Sequence, residues 1–104
     1  MPRADGNRKS ASRTSDIPAG EAARQAMAQL RELTGRETLS VASLEPVEDG
    51  WRVAVEVLED ARVPSSGDIL ALYEAELGLD GELLSYRRAR RYRRGDVGDT
   101  AGDF

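Results

Sequence analysis

The chain of 104 residues contains no cysteine and no histidine. The first absence excludes disulfides and thiolate metal sites. The second removes the commonest general base and the commonest nitrogen ligand for transition metals. Lysine is nearly missing too: fourteen of the fifteen basic residues are arginine, and the single Lys9 lies in a polar N-terminal stretch. A Ser–Lys nucleophile pair therefore has no support, and no glycine-rich loop of the phosphate-cradling types is present. No Asp-rich loop has the spacing of a calcium-binding EF-hand. No apolar run approaches the roughly 18 residues of a membrane-spanning helix. The basic residues near the N-terminus are not followed by the apolar core of a secretory signal. These absences together predict a soluble, cytoplasmic, non-enzymatic protein without metal or cofactor.

What is present is charge, unevenly placed. The net charge is −4 and the isoelectric point about 4.9. Residues 45–79 hold nine acids against Arg52 and Arg62, whereas residues 80–94 set Arg87, Arg88, Arg90, Arg91, Arg93 and Arg94 against Asp80 and Glu82. An acidic middle beside a basic segment predicts internal pairing or two separate binding faces.

The length allows one domain. Residues 1–15 are polar without hydrophobic period and residues 95–104 are rich in Gly and Asp, so both read as disordered tails around a domain at 16–94. A helix is predicted from Asp16–Pro18, capped by Ser15 or Asp16, with Ala23, Ala26, Met27, Leu30, Leu33 and Thr34 on its apolar face and Gly35 as its C-cap. The period then changes to two. Thr38–Pro46 is a first strand, weakened by Pro46. Trp51–Glu59 is the clearest strand, with Trp51, Val53, Val55 and Val57 on one face and Arg52, Ala54 and Glu56 on the other. A loop over residues 60–67 follows. Ile69–Leu79 suits helix or strand in its first half and a strand in its second, and Leu83–Arg93 reads as the last strand, with Tyr86 and Tyr92 on one face. The assembly is α+β: one N-terminal amphipathic helix packed on a four-stranded antiparallel meander.

Two constellations could carry function. Strand glutamates could pair as catalytic carboxylates, but solvated or salt-bridged acids on the outer face of a half-exposed sheet are the ordinary case. The run Arg87–Arg94 offers arginines for phosphates and tyrosine for stacking, which is the composition of a nucleic-acid patch. On a strand those arginines alternate between faces, acidic strands supply Glu56, Glu74 and Glu76 as cross-strand partners, and the acidic isoelectric point disfavours a polyanion. A protein-facing surface made of Arg62, Tyr86, Arg88, Arg91, Tyr92 and Arg94 is the favoured reading. Trp51, Glu56, Tyr73 and Glu74 are assigned structural roles, Trp51 as a core anchor under the helix.

Several of these pieces, taken in order, resemble a known family. They are Gly50-Trp51 followed by Val55-Glu56 and Glu59, then Arg62-Val63-Pro64, then Asp68-Ile-Leu-Ala-Leu-Tyr73-Glu74, and finally Leu79-Asp-Gly-Glu82 with Tyr86, Arg88, Arg91 and Tyr92. Leu33-Thr34-Gly35 at the helix end also fits. Together they resemble the gas vesicle accessory protein GvpO family, and the helix-then-strands order is similar to PepSY-type modules. The resemblance implies an accessory protein, in the cytoplasm or associated with the vesicle, needed to form gas vesicles, whose wall is built from a small and very hydrophobic shell protein. It implies partners among the gas vesicle proteins, either the shell protein or another assembly factor held in a chaperone-like way. A nucleic-acid-binding regulator acting through the arginine-rich strand is the alternative.

Overall fold

The structure, a computed structural model, describes residues 16–96. The tails expected over 1–15 and 95–104 lie outside the described residues, Gly95 and Asp96 excepted. Helix α1 (Ala19–Thr34) is followed by strands β1 (Glu37–Val47), β2 (Gly50–Asp60), β3 (Ile69–Gly78) and β4 (Leu83–Arg93), with a short 3-10 turn at Ser65–Gly67. The four strands pair antiparallel in the order β1-β2-β3-β4. This is the α+β meander expected from the change of hydrophobic period after Gly35. The segment that suited helix or strand is a strand throughout, because Ala71, Tyr73, Ala75 and Leu77 alternate onto the face that α1 covers.

The core lies between α1 and that face. Ala22, Ala26 and Leu30 meet Val53, Val55, Val57, Ala71, Tyr73, Ala75 and Leu77, with Ile17, Met27, Val41, Leu44, Trp51 and Leu83 packed around them. Burying a side chain the size of Leu30 is worth about 1.5–3 kcal/mol. The buried stripe is not the expected one. It is rotated toward Ala22, leaving Leu33 exposed.

The ties that hold the helix account for the rotation. The Ile17 N–H donates to the Leu79 carbonyl at 2.9 Å. The Gln29 amide donates to the Gly81 carbonyl at 2.8 Å and accepts from the Leu83 N–H at 2.9 Å. Both ties turn the helix toward the β3–β4 hairpin. Pro18, not Asp16, is the N-cap residue, and it makes no side-chain capping bond; Ser15 lies outside the described residues. Gly35 closes the other end in the left-handed region (φ 71°), its N–H donating to Arg31, as a helix C-terminus favours.

Turn chemistry sets the hairpins. A Cβ on Gly50 would lie 1.8 Å from the Leu77 carbonyl oxygen, so β2 can approach β3 there only as glycine. In the β3–β4 turn the Asp80 carboxylate accepts the Glu82 N–H at 3.0 Å, and Gly81 sits at φ 91°.

No helix among the described residues covers the opposite face. Arg52 bridges Glu45 at 2.9 Å and Glu76 at 3.3 Å, linking three strands. Leu58, Leu70 and Tyr92 lie side by side across β2, β3 and β4, and Leu70 is buried there without the helix. No helix among the described residues is long and apolar enough to cross a membrane.

Candidate protein-interaction surface

Strand β4 is a sheet edge, and every residue in it except Leu83 and Tyr92 is exposed. Its register is broken twice, between Glu76/Leu77 and between Leu72/Tyr73 on the partner strand. The second break leaves Ala89 without an opposite number, since Arg88 faces Tyr73 and Arg90 faces Leu72. A bulge of this kind shifts the alternation of side chains by one.

That shift decides which residues share a side. Tyr86, Arg88 and Arg91 fall on the side of the sheet that carries α1, whereas Arg87, Arg90 and Tyr92 fall on the other. The expectation that Tyr86 and Tyr92 share a face is therefore wrong: the even spacing between them contains one bulged residue. Tyr86 packs its ring 6.2 Å from that of Tyr73. Tyr92 donates its hydroxyl to Glu56 at 2.9 Å on the far face, with the Arg90 guanidinium 4.9 Å from its ring centre.

The centre of the helix side is Glu59. The last turn of β2 is irregular between Leu58 and Asp60, and the Glu59 side chain is only 5% exposed. Its Oε2 accepts the Tyr73 hydroxyl at 3.0 Å. Its Oε1 accepts Arg88 Nη1 at 3.1 Å and Arg91 Nε at 2.9 Å, and Arg36 Nη1 donates to its main-chain carbonyl. Burial alone would raise the Glu59 carboxyl. The Tyr73 hydroxyl and Arg91, backed by the charges of Arg88 and Arg36, outweigh it and hold the carboxyl below its ordinary value. Tyr73 is pushed up, first by burial and then by its bond to Glu59.

Arg62 and Arg94 belong to a separate cluster at the end of β4. Buried Asp68 accepts the Arg62 N–H at Oδ1 (2.7 Å) and the Arg94 guanidinium at Oδ2 (3.1 and 3.2 Å). This folds the loop 61–67 back against the strand end, as the candidate surface required. The Arg62 side chain, however, pairs with Asp60 at 2.8 Å and is not part of the Arg88–Arg91 group. Of the expected cross-strand acids, Glu74 takes Arg87 at 2.6 Å and Glu76 takes Arg52. Glu56 takes the Tyr92 and Ser40 hydroxyls instead of an arginine. Trp51 is half-buried at the margin of the core.

Sequence reasoning missed Glu59 and Asp68 as anchors. Glu59 left a trace, because it continues the odd-numbered row Trp51, Val53, Val55, Val57 and is thus an acid on the apolar face. Asp68 left none, being one acid at the end of a polar loop.

The arginines remain half-exposed after pairing, Arg88 at 49% and Arg91 at 56%. The buried acids therefore orient these guanidinium groups without removing them from the surface. Such an array can recognise anionic or aromatic groups.

Residues 5–98 match the family model described as gas vesicle synthesis protein GvpO. The chain is similar to gas vesicle protein O of Streptomyces sp. (strain CB03234), 61% identical over 72 residues, covering 69% of this chain and 56% of that relative. It is similar to gas vesicle protein O of Haloferax mediterranei, 45% identical over 49 residues (47% of this chain, 35% of the relative). It is also similar to gas vesicle protein O1 of Halobacterium salinarum, 44% identical over 50 residues (48% and 42%). The matched part thus spans about half or less of each relative. No solved structure matches.

Proposed function

Since this chain belongs to the gas vesicle synthesis protein GvpO family, we propose that it serves gas vesicle formation as a non-enzymatic accessory protein that binds another gas vesicle protein through β4. The observation that carries this reading is the β4 edge, unpaired among the described residues, with Tyr86 exposed beside Arg88 and Arg91, whose guanidinium groups are held in place by Glu59. Arginine and tyrosine are residue types enriched at protein interfaces. An edge strand with unpaired main-chain groups can accept a partner strand.

The same surface suits a holding role in the cytoplasm or on the vesicle. A hydrophobic wall subunit waiting to be inserted is prone to misassociation. A small charged domain bound to it, or to a factor that delivers it, would keep it apart. The carboxylates of Glu59 and Asp68 are both paired with arginine, which supports the reading of these acids as anchors of a binding surface.

The test is capture of individual gas vesicle proteins, each co-produced in turn with the tagged full chain. One of them is retained by the wild type and lost from the combined Tyr86→Ser, Arg88→Gln, Arg91→Gln variant, with circular dichroism showing both folded. Retention by the variant at the wild-type level, or capture of none of the vesicle proteins, overturns the reading.

A further inference from the structure

We propose that the helix side of β4 receives an extended acidic segment of the partner protein, which adds to the β4 edge left unpaired among the described residues, sets a carboxylate beside Arg88 and Arg91, and lays an apolar side chain beside Tyr86. This rests on the reading that β4 meets a protein partner, and it names the chemistry of the partner's segment.

Charge complementarity is the first argument. Two guanidinium groups, Arg88 and Arg91, converge on the Glu59 carboxylate, which offers a single negative charge. Arg88 uses one terminal nitrogen on Oε1 and Arg91 uses Nε, so their other N–H groups face outward. Glu59 cannot swing away to meet a competitor, because Tyr73 holds its other oxygen and the side chain is almost fully buried. The arginines are thus pre-positioned, and arginine forks match carboxylates in geometry as well as charge.

Edge chemistry is the second. An open strand invites pairing with any other strand. A second copy of β4 would bring arginine against arginine, a repulsive register. The same edge therefore rejects itself and favours an acidic strand. Nucleic acid fits less well: Arg87 lies on the opposite face, spent on Glu74, and Arg90 lies there over Tyr92.

Spacing is the third. Tyr86 and Arg88 are two apart on one face, and an added strand also repeats every two residues. The segment should therefore carry an apolar residue and a Glu or Asp two positions apart, with the acid first in an antiparallel pairing and second in a parallel one.

The probes are a blocked peptide made of two Leu-Thr-Glu-Thr repeats, its twins with Gln or Lys in place of Glu, and a single-stranded oligonucleotide. Binding to the full chain is read by fluorescence anisotropy at low and at physiological salt. The Glu peptide binds about ten-fold more tightly than the Gln peptide, as expected for a charge-assisted contact. Combining Arg88→Gln with Arg91→Gln removes the difference, and Arg24→Gln on the far side of α1 leaves it. Equal binding of the Glu and Gln peptides, or no binding of the Glu peptide, overturns the inference. Tighter binding of the oligonucleotide overturns it in favour of a polyanion site. The same peptide is added as competitor to the capture experiment. If a vesicle protein is captured and the arginine variant releases it but the Glu peptide does not compete, this inference falls while the contact strand stands. If no vesicle protein is captured, the broader reading falls with it.

Discussion

The Tyr73 hydroxyl donates to the Glu59 carboxylate at 3.0 Å, from β3 to the end of β2, directly beneath two arginines of β4. One short contact thereby makes three strands answer to a single side chain. Glu59→Ala leaves the hydroxyl of buried Tyr73 without its acceptor, a loss of about 1–3 kcal/mol. A urea titration reads it as a lower midpoint with an unchanged slope. A midpoint equal to wild type would show that the cluster adds nothing to the fold.

The same carboxyl predicts an acid-side dependence. It titrates lower in the folded protein than its ordinary value of 4.5, so on acidification the unfolded chain takes up the proton first. Its stabilisation is complete above that ordinary value and is lost as pH falls through the folded one. The stability gap between wild type and Glu59→Gln therefore narrows as the pH falls below the ordinary carboxyl value of 4.5. A gap that stays constant or widens contradicts the assignment.

Tyr92 gives the mirror case at alkaline pH. Burial, then the bond to Glu56, pushes its hydroxyl from 10.0 up to about 12. The stabilisation of this neutral hydroxyl is present below pH 10 and is lost as pH rises toward 12. Tyr92→Phe should flatten the decline of melting temperature over that range. An equally steep decline in the variant would place the alkaline sensitivity elsewhere.

Asp68 holds the loop 61–67 to the end of β4 through Arg62 and Arg94. In Asp68→Ala the Arg62 amide loses its acceptor and exchanges its hydrogen faster, with little change at Val55 in the core. Unchanged protection at Arg62 would mean that the loop is held by other contacts.

Two glycines separate space from conformation. A Cβ at Gly50 meets the Leu77 carbonyl at 1.8 Å, whereas a Cβ at Gly35 meets nothing within 4 Å and suffers only from φ 71°. Gly35→Ala should cost about 1 kcal/mol. Gly50→Ala should cost more, because the β2–β3 pairing must open beside Trp51. Reversal of that order in melting experiments would contradict the register.

The meander could be read from the sequence because its signals are local: alternation in Trp51–Glu59, Asp-Gly turns at 49–50 and 80–81, and Gly35 after a helical period. The orientation of α1 could not, because Ala22 and Ala23 are identical as hydrophobic signals and the ties at Gln29 and Ile17 are long-range. The arginine–acid pairing was visible as a charge pattern, with Glu74 and Glu76 among its acceptors, but the roles of Glu59 and Asp68 as acceptors were not. Glu59 depends on an irregularity at the end of β2 and Asp68 on a loop that folds back. The side taken by Tyr92 depends on Ala89, whose neighbours on both sides are arginine, so no change of character in the sequence marks the bulge.

Ala89 is what allows two arginines separated by one residue to look to opposite sides of the sheet. Its small, exposed side chain has no cross-strand neighbour in the register, so an exchange for serine or threonine should leave the pairing intact. Excising it would make Arg88 and Arg90 adjacent, and adjacent strand residues alternate sides in any case. Arg88 would still face Tyr73 and Arg90 would still face Leu72. The strand would lose its local kink and keep its two faces, so homologous genes should tolerate both the exchange and the loss of this one residue.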